Sequence, residues 1–505
     1  MNAQKWILEN KHPGATSCFI LGEIENIRLL EPFKSYNYVI WFVSEKQLPK
    51  KFSGYKNIYP MTLESVDSSK LDEIVTTLIN ENISLIPDIF CSQKILDNHT
   101  QSYDLILQTI QIKSEEKLRV GKMRKLEGFS SQKNILNNLP FFIQNQLGDQ
   151  AENLLLAKPV AVVGAGPSLD CSINILEKYH RDFYIFCVDS AFSKLRNRNI
   201  QPDAVFTVDA EKPMDACLNE NENETIHSLF LSLKSPHEWV TKKETKKYFL
   251  SAQILTEDWL AENGCAKTIP RIIGNCGITA VNLALFLGCS PIMLFGLDHS
   301  ADEKTGQGHA SEVNLKISRA TYNPNKCKHT VPGNYQPRVK TFLLNEWKKL
   351  NELISGTPDS QEIWNITDRG AKYDKAKLIH PEKFIFPKEI KFEKKYIHFK
   401  TKCIEQNGFQ DLKLQIQQFL RKKGNLVQLI LKCNSVNNET CVLLSTLFQE
   451  KLISKLLSNF TLKIAPILLN WQSISEDERL EALRETKDML HEVHSLEIKL
   501  QNLSL

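Results

Sequence analysis

The sequence has no Cys-x-x-Cys pair, and its twelve cysteines are scattered with no histidines at matching metal-ligand spacing. That excludes the usual zinc and thiol-redox frameworks. Cys18, Cys187 and Cys289 lie inside apolar runs, as reduced core residues of a cytoplasmic protein do. An unbroken apolar run of membrane length is also missing. The longest candidate, 281–297, is interrupted by Asn282, Gly288 and Pro291. The first residues, Met1-Asn-Ala-Gln-Lys-Trp-Ile7, have no apolar signal core, so neither membrane insertion nor export is expected. Charge of one sign is lacking too: 63 Lys and Arg against 59 Asp and Glu leave a formal +4, which gives no argument for nucleic acid. The basic clusters at Lys242-Lys243, Lys246-Lys247 and Arg421-Lys422-Lys423 read as solvated faces.

What remains is a long chain with ordered punctuation. At 505 residues it exceeds what one core usually holds, so two or three domains are expected. Residues 1–115 mix short apolar strands with amphipathic stretches, strands being read at 17–22, 38–43 and 83–87, as in a small α/β domain. From Tyr103 to about Leu155 the pattern is helical and polar, a connector leading into a central domain at 116–390. Strands are read there at Val160–Val163, Phe183–Val188, Ala204–Val208, Tyr248–Leu250, Thr268–Ile273 and Ile292–Phe295, separated by helical patterns. That alternation predicts a doubly wound, mostly parallel sheet. After about residue 390 glycine thins out and Leu, Ile, Lys and Gln dominate, so 391–505 is expected to be a helical domain.

The most informative stretch is Pro159–Asp170, where an apolar strand runs into Gly164-Ala-Gly166-Pro167-Ser168 and then into a helical pattern. Glycines allow a sharp turn and close approach to a ligand, while Pro167 and Ser168 suit a first helical turn whose free N–H groups attract an anion. A nucleotide phosphate is the natural guest. A dinucleotide fold begins the same way, and Asp189 stands where its acidic residue would. However, Leu169 replaces the third fingerprint glycine, and a plain strand-to-helix turn is the remaining alternative.

Open sheets of this class bind ligands outside the carboxyl ends of their strands. Those ends are polar here: Gly164 to Ser168, Asp189-Ser190, Asp209-Ala-Glu211, Gly274-Asn275-Cys276-Gly277 and Gly296-Leu297-Asp298. Any one of them fits a cap or turn. All five on one rim favour a site.

In order and spacing, Val162–Leu169, Val188–Ala191, Ile200–Asp209, Gly274–Ala280 and Pro291–Asp298 resemble the central domain of the Maf family, the motility-associated factors that glycosylate bacterial flagellin. Gly308-His309-Ala310, Thr330–Thr341 and Gly370–Tyr373 agree more loosely. The chain departs from the family pattern at Arg369-Gly370-Ala371 and at Asp298-His299-Ser300. The resemblance covers about 125–375. It implies a Rossmann-like, sialyltransferase-like core, with an α/β domain before it and a helical region after. It also implies transfer of a nonulosonic acid, pseudaminic or legionaminic in type, from a CMP-activated donor to Ser or Thr of flagellin. Archaeal pterin pyrophosphokinases, dependent on ATP and magnesium, share this core, and a non-catalytic flagellin-binding assembly protein is the third reading.

A CMP donor carries one phosphate, so its departure needs backbone N–H donors and hydroxyls more than a metal. Gly164, Gly166, Pro167 and Ser168 are the expected phosphate contacts, with Asp189, Ser190, Asp209, Asn275 and Gly277 around the nucleotide and sugar. A base working near neutrality is most simply a histidine. His309 is the first choice and His299 the second, with Asp298 grouped as catalytic beside His309. Asp209 and Glu211, two apart at a strand end, are the place where a divalent cation would bind.

Overall fold

The computed structural model describes residues 6–504, apart from positions 11–14, 16, 25, 49–54, 67–69, 72, 76–86, 93–100, 219–224, 266, 268–269, 303–304, 314–326, 328 and 391. The chain divides into two compact units, Met1–Leu126 and Glu127–Leu505.

The first unit holds a five-stranded sheet of β1 (Trp6–Asn10), β2 (Ser17–Leu21), β3 (Tyr38–Val43), β4 (Ile58–Thr62) and β5 (Asp88–Ser92), ordered β1-β5-β2-β3-β4. All neighbours are parallel except β1 and β5. Successive side chains of a strand alternate between faces. Phe19, Leu21, Ile40 and Phe42 accordingly enter one core with Tyr103 and Ile106, while Cys18, Ile20, Val39 and Trp41 enter another with Leu30 and Phe33. A sheet apolar on both faces is the small α/β fold expected. The strand read at 83–87 falls largely outside the described residues, and the strand described there begins at Asp88. Helix α1 (Gln101–Phe142) follows, and its last turns belong to the second unit.

The second unit is built on a ten-stranded sheet. Its strands are β6 (Gln146–Leu147), β7 (Val160–Val163), β8 (Tyr184–Val188), β9 (Ala204–Thr207), β10 (Ser228–Ser232), β11 (Lys246–Leu250) and β12 (Ile292–Phe295). A separate hairpin, β13 (His329–Pro332) and β14 (Arg338–Thr341), precedes β15 (Ile363–Ile366), β16 (Lys377–Ile379) and β17 (Thr401–Lys402). The order is β16-β15-β12-β7-β8-β9-β10-β11-β6-β17, parallel throughout except for β17 at the edge. Val160-Ala-Val-Val163 is wholly buried because both its neighbours, β8 and β12, are parallel and both sheet faces are covered.

One expected strand is not formed by the described residues. Of Thr268–Ile273, the described part makes only an isolated bridge between Arg271 and Ser251, since Pro270 has no N–H to donate to a ladder. Conversely, β10, β15 and β16 were not read from the sequence, being short and carrying Ser, Asn or Lys among their apolar residues.

The order of strands positions the site. From β7 the chain steps outward through β8, β9, β10 and β11, then returns to the other side of β7 as β12. In open sheets such a reversal is where the ligand crevice lies, here at the carboxyl ends of β7 and β12. Three helices start on that rim: α2 (Leu169–Tyr179), α3 (Asp189–Asn197) and α4 (Cys276–Phe286).

After β17 the chain forms α5 (Gln406–Lys422), α6 (Gly424–Lys432), α7 (Asn438–Gln449), α8 (Lys451–Leu456), α9 (Ser458–Leu469) and α10 (Glu476–Gln501). Buried Phe409, Leu412, Ile416 and Phe419 repeat at helical spacing along α5 and join the same hydrophobic core as the sheet.

Candidate functional site

The glycine loop after β7 is held by the turn after β12. Gly164 N–H donates to Phe295 O at 2.8 Å and Gly166 N–H to Gly296 O at 2.8 Å. A Cβ on Gly164 would lie 2.5 Å from Gly296 O, and one on Gly296 would lie 2.5 Å from Gly164 O. The glycines let two strand ends cross. Ser168 N–H, at the start of α2, donates to Asp298 Oδ2 at 2.8 Å. Burial raises the Asp298 carboxyl above its ordinary range, partly opposed by the Ser168 donors.

Two expectations change here. The N–H groups of Gly164, Gly166 and Ser168, assigned to a nucleotide phosphate, are already used inside the fold, Pro167 has none, and Pro167 and Ser168 are buried. These residues form the floor of the crevice. Asp298, expected to be catalytic, is 4% exposed and serves as the acceptor at the positive end of α2.

Above that floor lies the segment around His309. Ala310 N–H donates to Ala165 O at 2.8 Å, and Ser311 N–H donates to the Asp170 carboxylate at 3.0 Å. The buried Lys194 ammonium donates to Asp170 Oδ1 at 2.7 Å and to Ser311 O at 2.9 Å. This clamp joins α2, α3 and the His309 segment, and with the Ala310 bond it holds that segment against the glycine loop. Among the described residues His309 Nδ1 is buried without a hydrogen-bond partner. Burial, reinforced by the positive charge of Lys212, pushes the imidazole down to about 4.

Lys212 follows the Asp209–Glu211 turn. Its ammonium lies 3.9 Å from Asp189 Oδ1. Burial works against its charge, but Asp189 first, then Cys217, Cys276 and Asp209, outweigh that and leave Lys212 raised. Asp189, 2% exposed at the end of β8, also accepts Ser190 N–H at 2.6 Å and the Cys276 thiol at 3.6 Å. Cys276 Sγ accepts Val208 N–H at 3.4 Å. Asp189, Lys212 and Cys276 thus meet, and the Lys212 charge acts on His309.

Asn275 and Gly277 shape the start of α4. Asn275 Oδ1 caps α4 by accepting Ile278 N–H at 3.1 Å, and a Cβ on Gly277 would meet Leu297 Cδ2 at 2.6 Å. Ser190 is buried. Asp209 Oδ1 accepts Glu211 N–H at 3.0 Å, while the Glu211 carboxylate takes the Ser130 hydroxyl. Among the described residues no three His, Cys, Asp or Glu side chains are grouped to hold a metal ion.

His299, the second choice as base, is a core residue, 6% exposed. Tyr373 Oη donates to Leu297 O at 2.5 Å, so the hydrogen between Tyr373 and His299 Nδ1, 2.8 Å apart, is assigned to the imidazole. Burial lowers His299 to about 4, against an ordinary 6.5. A depressed folded-state value makes its contribution to stability complete above pH 6.5 and lost as pH falls from there through 4. Between pH 8 and pH 5 the unaltered protein should lose about 2 kcal/mol through this group. Urea unfolding at both pH values checks this, and His299→Phe should flatten the difference by that amount.

A cavity of about 400 Å³ is lined by Ser300, Asp302, Tyr335, Gln336, Asp368 and Arg369 among others. Arg369 pairs with Asp302 at 2.6 Å and Asp368 at 2.8 Å, so its charge is matched.

With this geometry in hand, comparison with known proteins is informative. Residues 133–304 match the MptE-like family, described as 6-hydroxymethylpterin diphosphokinase MptE-like. No curated protein matches the chain. The solved Maf glycosyltransferase from Magnetospirillum magneticum AMB-1 is similar in structure over 99% of this chain and 81% of its own, with a TM-score of 0.53 and 13% identity. The sialyltransferase CstII from Campylobacter jejuni, solved with a cytidine monophosphate substrate analogue, aligns over 51% of this chain and 98% of its own, at a TM-score of 0.23 and 13% identity. The α-2,3-sialyltransferase Cst-I of the same organism aligns over 53% and 95%, at a TM-score of 0.22 and 14% identity. The fold of this chain is therefore that of a Maf glycosyltransferase along nearly its whole length, as the sequence motifs led us to expect.

Proposed function

We propose that this protein is a glycosyltransferase of the Maf type, moving a nonulosonic acid of the pseudaminic or legionaminic kind from CMP to Ser or Thr hydroxyls of flagellin. The observation that carries this reading is fold likeness to a glycosyltransferase over 99% of the chain, flanking domains included. The cluster at the strand-order reversal supplies the chemistry. The acceptor hydroxyl oxygen would bond to the anomeric carbon as the bond from that carbon to the phosphate oxygen breaks. The electron pair leaves on CMP, and neutral His309 takes the hydroxyl proton. No metal is needed to balance this step.

The match of residues 133–304 to the MptE-like family favours a second reading, a magnesium- and ATP-dependent diphosphokinase acting on a hydroxymethylpterin. Intact-mass analysis of flagellin from cells with and without this protein separates the two. Loss of a mass equal to a nine-carbon acidic sugar per site is the expected result. Unchanged flagellin, together with AMP release from ATP in the presence of the pterin, would establish the diphosphokinase instead. In vitro, CMP should bind the purified protein by calorimetry, and a protein that binds none would not be a CMP-dependent transferase.

A further inference from the structure

Among the polar groups at these strand ends that have no hydrogen-bond partner in the described residues are the Lys212 ammonium and His309 Nδ1. Lys212 is mostly shielded from water, its side chain 22% exposed, and its nearest carboxylate oxygen stands 3.9 Å away. That is an ion-pair distance, not a hydrogen bond. Among the described residues none lies within hydrogen-bond reach of the ammonium, which carries three donors. His309 Nδ1 is the second orphan, buried on a different loop but near enough for Lys212 to act on it electrostatically. Buried polar groups are paired in native proteins, and an exception needs a reason. Lys194 shows what a fully satisfied lysine looks like: its side chain is 2% exposed and has acceptors at 2.7 and 2.9 Å.

Asp189 explains how the ammonium is kept there without being consumed. Its carboxylate is already engaged by Ser190 N–H at 2.6 Å and the Cys276 thiol at 3.6 Å, so it favours the positive charge from a distance. The backbone donors of the glycine loop are unavailable, as shown above, so an anion entering this crevice has to find its donors elsewhere. The geometry points to Lys212 as the anion receptor of the crevice, holding the phosphate of the nucleotide donor with Asp189 as its positioning residue. This rests on the function proposed above for the identity of the nucleotide, but not for the phosphate itself. In the transfer step the ammonium would stabilise the charge gathering on the departing phosphate.

The test compares CMP with cytidine by calorimetry on the unaltered protein, Lys212→Met and Lys212→Arg. Lys212→Met should weaken CMP by roughly ten- to hundredfold, the range of a charged hydrogen bond, and leave cytidine unchanged; Lys212→Arg should recover most of the loss. Equal CMP affinity in a folded Lys212→Met protein, or equal loss for cytidine, would overturn the assignment. Inorganic phosphate provides the arm independent of the donor. Titrated into the unaltered protein and followed by the His309 imidazole NMR signal, it should saturate and move that signal, and it should do neither in Lys212→Met. If phosphate binds at Lys212 but CMP does not, the donor reading fails while the anion receptor stands. If phosphate leaves the His309 signal unmoved in the unaltered protein, the receptor is wrong whatever CMP does.

Discussion

His309→Ala should reduce sugar transfer by roughly 10²- to 10⁴-fold while leaving the CMP dissociation constant within a factor of two. The separation follows from geometry. His309 is fixed to the glycine loop through the Ala310 N–H bond to Ala165 O, and its neighbours Ser311 and Asp170 are clamped by Lys194, so truncating the ring removes no element of that support. Burial and Lys212 hold the imidazole neutral down to about pH 4, and a base must be neutral to accept a proton. The rate therefore falls as pH drops through the value of His309, and kcat/KM, which reports the free enzyme, should show no histidine limb between pH 5 and pH 8. Binding of an anion beside Lys212 cancels part of the charge that depresses His309. The acid limb of kcat should accordingly lie at higher pH than that of kcat/KM. Transfer retained in His309→Ala, measured by mass shift of a flagellin peptide, would remove this residue as the base.

How much of this was legible beforehand depends on how local each feature is. The central strands β7, β8, β9 and β12 announced themselves because a strand buried on both faces is a short apolar run ended by glycine or aspartate, the form that also marks β2 in the first unit. The edge of the sheet was not legible. Lys377-Leu-Ile379 in β16 becomes a strand only by pairing with β15, a long-range event with no signature in three residues. The site shows the same division. Gly164 to Ser168 was read as a ligand cradle because the motif describes only one side of the turn. Its partner, Gly296 to Asp298, lies more than a hundred residues away and takes up the donors. Lys212 was passed over because it follows the acidic pair Asp209 and Glu211, which drew attention as cation ligands. Its role emerges only when the β9 turn is brought against Asp189 and His309. The acidic pair itself faces Ser130 and Glu127 of α1, and burial, then Asp209 and Glu211, raise the Glu127 carboxyl.

Gly408→Ala should be among the most destabilising single changes in the second unit, although it adds one methyl group and sits in a helix, where alanine is ordinarily favoured. On propensity alone the change would stabilise by about 1 kcal/mol. Packing reverses the sign. A Cβ on Gly408 would fall 1.8 Å from Asn263 O and 2.9 Å from its carbonyl carbon, both backbone atoms with no rotamer in which to retreat. The contact is also braced further along the helix. Trp259 Nε1 donates to Gln415 Oε1 at 2.7 Å, and Gln415 Nε2 donates to Asn263 Oδ1 at 2.7 Å, which ties α5 to the Trp259–Asn263 segment about two turns beyond Gly408. Relief of the clash requires α5 to move away, breaking these bonds and opening the core at Phe409 and Leu412. Overpacking of this kind costs about 1–3 kcal/mol where neighbours yield, and more where they are backbone, so a loss of about 3 kcal/mol or more is expected. Gly424→Ala is the control, since nothing lies within 4 Å of its added carbon at the start of α6. It should leave stability unchanged or raise it by up to about 1 kcal/mol. Urea unfolding of the two variants, followed by tryptophan fluorescence, should therefore shift in opposite directions or in one only. If Gly408→Ala unfolds at the same urea concentration as the unaltered protein, α5 is not seated on the sheet unit as described.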